Sequence, residues 1–427
     1  MILFQTFGAF IALTLFGVPL VYGLLLATVG MIWWASLSHP LTSIFLSYIG
    51  GVEPFILIAV PLFVLAGEIL SRGGVGLRIV SFATKLLGFL PGGLGISTVV
   101  SSLIFGGVSG SAIADTAAIG SVMTPAMIRK GYSRPFAGAL MSTAGTLAIV
   151  MPPSIPMLVY AFVSGASVRD LFLAGVVPAF AFAFGLCLVC VWTGKRTGCD
   201  NGDARASRAE LWAAFISASP ALMMPVIILG GIWSGLFTPT EAAAVAAAYG
   251  LFVSMVIYKD LKPRDLPALI LKAFTTSAVV MVVIGATSCL AWLITVEQVP
   301  AQIAAMVKQY AHSPWTFLLL VNVAMLLLGC FIEPVPALIL AAPLLVPLSA
   351  AFKIDPVHLG LIMTCNLAIG LYTPPVGGTL MVGARLAGVG MVSVVRALVP
   401  QMAISLVILM IITYVPSISM ALVHAAR

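Results

Sequence analysis

The 427-residue chain is 61% hydrophobic and 8% charged. A soluble domain carries about 25% charged residues, so this composition excludes a water-soluble globular protein and points to an integral membrane protein with many spans. The net charge of +7 does not imply nucleic acid, because lysine and arginine collect in the cytoplasmic loops of polytopic proteins.

In chain order, residues 2–36 are too long for one span and are divided at Gly17-Val18-Pro19, which predicts two short helices. The absence of a charged n-region with a small-residue cleavage site leads us to expect mature protein from Met1 onward. A third helix is predicted over about 55–71. Residues 72–90 alternate Arg72, Arg78 and Lys85 with Val75, Leu77, Val80 and Leu86, the pattern of an amphipathic helix lying in the interface. The stretch 92–128 is too long for one span and is interrupted by Gly106-Gly107-Val108-Ser109-Gly110-Ser111. A re-entrant helical hairpin keeps its two basic flanks on one side. Residues 136–166 then cross once, broken at Pro152-Pro153, and 171–193 cross again.

The longest polar interval, Gly194 to Glu210, is a loop, and 197–222 is read as a cytoplasmic linker and helix start. Helices follow near 212–235, 240–258 and 273–296, then an amphipathic interval from Glu297 to His312. A second hairpin over 315–350 breaks at Gly329–Pro334, a crossing over 357–387 breaks at Thr373-Pro374-Pro375, and the last span covers about 395–416. Loose backbone at bilayer depth is tolerated only where it is buried in protein or lines a cavity, so the four breaks mark a site. Trp33, Trp34, Trp192, Trp233 and Trp315 fall near span ends, as belt residues do. Cys187 and Cys190 form a lone CxxC without polar neighbours, which reads as packing.

The two halves match at one offset. Pro152 and Pro153 lie 222 residues before Pro374 and Pro375, and the same shift pairs Gly107 with Gly329, Pro125 with Pro347, Gly138 with Gly360 and Pro178 with Pro400. The expected architecture is an all-α membrane protein of two repeats, 1–196 and 223–427, each with a re-entrant hairpin and a broken helix. Crossings counted from an outside N-terminus leave only Arg169, Lys308, Lys353 and Arg427 of the 20 Lys and Arg residues outside. That split obeys the positive-inside rule. It inverts the second repeat, and puts both termini on the periplasmic or extracellular side. Inverted repeats with broken helices at the midplane are the architecture of secondary transporters.

Freed carbonyls and small hydroxyls at the breaks are hard oxygen ligands, suited to Na⁺ rather than to a transition metal. Helix N-termini in the same breaks attract an anion. One Na⁺ site is therefore expected at Ser109, Gly110, Ser111, Met151 and Pro152. A second is expected at Gly329, Glu333, Asn366, Thr373 and Pro374. Substrate contact or gating falls to Gly107, Asp115, Pro153, Ser154, Pro375, Gly377, Gly378 and Thr379. Asp115 is either an ion partner or a hairpin-packing acceptor. Glu68 and Glu241, near helix ends, are read as structural, and Arg385 as a cytoplasmic anchor or a substrate-carboxylate partner. Four scattered histidines form no metal constellation.

Three motifs carry a resemblance: GGVSGSAIADTAAIGSVMTPAM, GTLAIVMPPSIPMLVYAFVSGASVRDLFLAGVVP and NLAIGLYTPPVGGTLMVGA. The chain resembles, over essentially its whole length, the large membrane subunit of tripartite ATP-independent periplasmic (TRAP) transporters. The resemblance implies a scaffold with a mobile transport domain, an elevator mechanism, and Na⁺-driven uptake of organic acids across a bacterial inner membrane. It implies two partners besides the lipid bilayer, a small four-helix membrane subunit and a periplasmic substrate-binding protein, and no organic cofactor. Ala148, where a glycine is common, and Gly378-Thr379 depart from the family pattern. Two rival readings are a standalone ion-coupled carrier and an intramembrane serine hydrolase. The hydrolase rests on the GxSG match at Gly107–Gly110, which has no mid-membrane histidine to activate Ser109.

Overall fold

The computed structural model describes residues 2–34, 39–200, 202, 204–299 and 313–426. The described residues are helical throughout, joined by turns and short loops. Among the described residues, seven helices are long and apolar enough to cross a membrane, or eight if Arg134–Val150 and Ile155–Ser164, bent by 41°, count as one span. This is a multi-pass membrane protein.

The first part begins with α1 (Ile2–Leu15), α2 (Leu20–Trp34), α3 (Thr42–Val52) and α4 (Ala59–Arg72). The amphipathic interval forms α5 (Val75–Leu87), with Val75, Ile79, Val80 and Ala83 buried along one side. Next come α6 (Gly93–Ser109), α7 (Ala112–Arg129), α8 (Arg134–Ala144), the single turn α9 (Leu147–Val150), α10 (Ile155–Ser164) and α11 (Val168–Thr197). The second part contains α12 (Arg208–Trp233), α13 (Pro239–Phe252), α14 (Leu266–Val296), α15 (Pro314–Gly329) and α16 (Pro334–Ala351). It ends with α17 (Pro356–Gly370), α18 (Gly378–Ala387), α19 (Met391–Tyr414) and α20 (Pro416–Ala425). The amphipathic interval expected up to His312 lies outside the described residues beyond Val299.

Helix starts follow local chemistry. Ser133, Ser167, Ser207, Thr238 and Ser313 each accept from a backbone N–H of the first turn they precede. Such caps satisfy donors that have no intrahelical partner. Glu210 and Glu241 complete reciprocal capping boxes with Ser207 and Thr238, which bears out the structural reading of Glu241.

Packing does not follow chain halves. Helices α1–α4 pack with α12–α14, whereas α6–α11 pack with α15–α20. Helix α5 lies between the two groups, against α6 and α12. Small residues allow the closest approaches, as expected where apolar side chains gain nothing by leaving lipid. At the α8–α18 crossing, a Cβ on Gly383 would sit 2.5 Å from the Gly138 carbonyl oxygen. The largest core cluster runs from Leu57 to Val423 and includes the fully buried Phe105, Tyr160 and Phe172.

Two readings of the sequence change. The Gly106–Ser109 run does not break the first hairpin, since α6 continues through Ser109 and the turn narrows to Gly110 and Ser111. Gly106 serves close approach instead: a Cβ there would lie 2.7 Å from the Ala148 Cα. Helices α3 and α20 also extend the helical content beyond the expected spans.

Candidate functional site

The first hairpin tip is built by a left-handed turn. Gly110 has φ +62°, which ends α6, and Ser111 is extended and caps α7 by accepting from the Ala114 N–H at 3.5 Å. The Ser111 N–H donates to Ser109 Oγ at 3.2 Å. Ser109 Oγ in turn donates to Asp115 Oδ1. Asp115 is fully buried in the first turn of α7, and its second oxygen, Oδ2, has no partner among the described residues. A buried carboxylate oxygen left unpaired is costly, so the arrangement is suited to a cation or a proton. The positive end of α7 favours negative charge at the same place.

The double-proline break lies against this tip. A Cβ on Gly107 would be 3.4 Å from the Pro152 carbonyl oxygen, and one on Gly110 would be 3.1 Å from that of Pro153. The structure thus brings Gly107, Ser109, Gly110, Ser111 and Asp115 together with Met151, Pro152 and Pro153. Ser154 is a buried cap: it donates to the Ile149 carbonyl at 2.5 Å and accepts from the Met157 N–H at 3.4 Å.

The second pair of breaks is looser. Gly329 ends α15 and packs on Gly370, with its Cβ position 3.2 Å from the Gly370 Cα. The Val376 N–H reaches the Cys330 carbonyl at 3.4 Å, which joins the hairpin tip to the second double proline. Glu333 stands at the N-terminus of α16 without a side-chain capping bond and is exposed. Thr373 Oγ1 donates to the Ile369 carbonyl at 2.8 Å, and Thr379 Oγ1 to that of Leu371 at 3.0 Å. Both hydroxyls keep lone pairs for a ligand. Both double prolines, Pro152-Pro153 and Pro374-Pro375, contain a cis peptide bond.

Asn366 sits apart from these tips. It lies seven residues before Thr373, about 10 Å along the helix axis. Its Nδ2 donates to Asn322 Oδ1 at 2.6 Å and to the Ile362 carbonyl at 2.8 Å. Asn322 bonds Thr413 at 3.1 Å, so the amide network ties α15, α17 and α19. Asn366 Oδ1 is buried without a partner.

Two adjoining cavities connect the tips. One of about 170 Å³ is lined by Ser109, Gly110, Ser111, Glu68, Thr276 and Glu333, among others. The other, of about 310 Å³, lies between the second hairpin tip and α18. They share Ile113, Glu333 and Leu371. The sequence reading missed one lining group: Glu68, read as a helix-end residue, faces the first cavity and pairs with Lys272 of α14 at 2.7 Å. An acid within an otherwise apolar span was the available signal.

The family described as the DctM component of tripartite ATP-independent periplasmic transporters matches residues 7–418. The chain belongs to this family. It is 40% identical to the C4-dicarboxylate TRAP transporter large permease protein DctM of Pseudomonas aeruginosa, over 87% of this chain and 86% of that protein. It is 36% identical to the isethionate TRAP transporter permease protein DctMQ of Oleidesulfovibrio alaskensis, over 97% of this chain and 65% of that longer protein. The structure of the Alcanivorax borkumensis YdaH transporter shares the fold, with TM-score 0.60 and 15% identity over 88% of each chain.

As a DctM-type large permease, the chain is a transport protein and not an enzyme. The hydrolase reading fails at the residue that suggested it. The Ser109 hydroxyl donates to Asp115, whereas His358 is bonded to Ser419 and to the Thr413 carbonyl.

Proposed function

We propose that this permease is the membrane-domain carrier of a Na⁺-coupled importer of small organic acids in a bacterial inner membrane. A small four-helix membrane subunit and a periplasmic binding protein complete the importer. The observation that carries the reading is the orphaned Asp115 oxygen at a hairpin tip whose other polar groups are hydroxyls and carbonyls. Hard oxygens of this kind fit Na⁺. The first ion is assigned to Ser109, Gly110, Ser111, Met151 and Pro152, with Asp115 adding charge. The second is assigned to Gly329, Glu333, Thr373 and Pro374, with the free Oδ1 of Asn366 deeper along α17. The substrate is assigned to the joined cavities, which Gly377 and Gly378 line; Gly107, Pro153, Ser154, Pro375 and Thr379 are not among the lining residues and are left the gating role. An acid is favoured because the relatives are named for C4-dicarboxylate and isethionate, both anions. The fused name DctMQ of one relative favours a small-subunit partner.

An inverted repeat of 1–196 and 223–427, moving as an elevator, fits several paired features. Ala148 and Gly370 lie 222 residues apart, and each meets a glycine at the end of the preceding hairpin's first arm. Pro125 and Pro347 sit inside α7 and α16, and Pro178 and Pro400 inside α11 and α19. The grouping of α1–α4 with α12–α14, which meets the hairpin-bearing helices at α4–α6, at α14–α16 and through α5, fits a scaffold and a moving part. With both termini periplasmic, a C-terminal reporter active only in the cytoplasm stays silent; activity of that reporter overturns the inverted topology.

Reconstitution tests the whole reading. In liposomes carrying this chain and the small subunit, with binding protein outside, uptake of a C4-dicarboxylate is expected only with an inward Na⁺ gradient. Each positive charge moved would couple about 2.3 kcal/mol per 100 mV. Equal uptake by this chain alone supports the standalone carrier instead, and equal uptake without Na⁺ removes the coupling.

A further inference from the structure

The larger of the two cavities holds a cation that the ion sites do not use. Gly378, Met381, Val382 and Arg385 of α18 all line it. Their spacing of three, four and seven residues puts them on one helical face, with Arg385 two turns beyond the break. The opposite wall is the second hairpin tip, Gly329 to Glu333. Among the described residues that line the cavity, Arg385 is the only basic group and Glu333 the only acidic one; the rest are glycines, one cysteine and apolar side chains. Among the described residues no ion pair involves Arg385, although ion pairs form elsewhere in the chain. Near the same end of α18, Arg134 at the start of α8 donates to the Ala387 carbonyl at 3.4 Å. That contact sets the end of α18 beside the basic Arg129–Arg134 segment, which the charge distribution assigns to the cytoplasm.

We infer that Arg385 receives the anionic group of the substrate on the cytoplasmic side of the site. The inference rests on the proposed organic-acid transport and deepens it. A planar guanidinium matches a carboxylate or sulfonate with two parallel hydrogen bonds, and no second basic side chain among the described lining residues competes with it. Its place sets the direction of the effect. Glu333 lines both cavities and Arg385 only the second, so an acid moving on from the Ser109–Ser111 tip enters a space that holds both the carboxylate and the cation. Arg385 therefore acts on the inward-facing carrier, drawing the anion and setting the affinity for internal substrate. The ligand class is a small carboxylate or sulfonate.

The test is sided exchange in proteoliposomes with the full three-component system, using labelled succinate and, separately, isethionate. Arg385→Gln is expected to raise the internal half-saturation concentration about tenfold or more, the size of one lost charge-assisted pair. The external half-saturation concentration, set with the binding protein present, moves less than about twofold, and Arg385→Lys recovers part of the loss. An anchor role predicts equal losses on both sides with reduced membrane yield, and that result overturns the inference, as does an unchanged internal value. Should Arg385→Gln insert poorly, Arg385→Cys treated from inside with a cationic thiol reagent recovers exchange and with a neutral one does not. Equal recovery by both reagents overturns it too. Wild-type vesicles that exchange neither acid would strike the parent reading rather than this residue.

Discussion

Asp115→Asn lowers Na⁺-driven uptake by about a hundredfold at sub-saturating Na⁺ and raises the Na⁺ concentration for half-maximal uptake at least tenfold. The residue offers two roles, and the variant separates them. As a packing group, Asp115 needs only an acceptor for the Ser109 hydroxyl. Asparagine supplies that acceptor at nearly the same size, so a packing role predicts near-normal transport. As an ion partner, Asp115 supplies a full charge through Oδ2, which no protein donor satisfies. Asparagine removes the charge and can put an amide N–H₂ where the cation would bind. A charge-assisted contact in a buried site contributes about 1.5–3 kcal/mol, or about 10- to 100-fold in affinity. Loss of cooperative Na⁺ binding adds to the effect at low Na⁺. The measurement is initial uptake rate against Na⁺ concentration in proteoliposomes. A wild-type Na⁺ dependence in Asp115→Asn reduces Asp115 to a hairpin brace.

The breaks were legible because their chemistry is local. Pro152-Pro153 and Pro374-Pro375 cannot continue a helix, and the left-handed Gly110 and Gly377 need no partner elsewhere to be recognised as turns. The apolar runs expected from 136, 171, 212 and 240 begin close to the observed starts Arg134, Val168, Arg208 and Pro239, where Ser133, Ser167, Ser207 and Thr238, not used in the sequence reading, supply the caps. Gly106 and Gly107 misled for a physical reason. Glycine serves both to turn a chain and to let two backbones touch, and only the position of Ala148 reveals which role applies. The Glu68–Lys272 pair joins residues 204 apart, so Glu68 looked like an isolated helix-end charge. Asn366 shows the opposite failure: it was grouped with Thr373, but α17 ends at Gly370 before that residue, and its amide bonds Asn322 of another helix.

The polar loop between the halves, read from sequence only as a linker, contains a buried residue that bonds both ends of the first hairpin. Asp200→Ala is expected to destabilise the fold by about 2–4 kcal/mol. Asp200 is 1% exposed, although it sits in the loop after α11. Its Oδ2 accepts from the Leu94 N–H at 2.9 Å and from the Tyr132 hydroxyl at 3.0 Å, while its carbonyl accepts from the Gly92 N–H at 2.8 Å. Leu94 lies in the first turn of α6, and Tyr132 follows the end of α7, so one side chain closes both ends of the first hairpin at its base. Burial, then the charge of Asp200, pushes the Tyr132 phenol far above its usual range, which keeps it a donor throughout the accessible pH range. Alanine leaves the Leu94 N–H and the Tyr132 hydroxyl buried and unpaired, and an unsatisfied buried donor costs more than the bond it lost contributed. Tyr132→Phe removes one donor together with its acceptor demand and is expected to cost about 1 kcal/mol or less through that bond. The check is the temperature of half-maximal aggregation in detergent, with uptake per folded molecule measured alongside. A hairpin whose base is held by Asp200 gives a marked shift for Asp200→Ala and a smaller one for Tyr132→Phe. Because Asp200 lies at the base of the hairpin and the proposed ion site at its tip, the Na⁺ dependence of the surviving molecules should stay within about twofold of wild type. A change in Na⁺ dependence as large as that of Asp115→Asn would mean that the base of the hairpin sets the geometry of its tip.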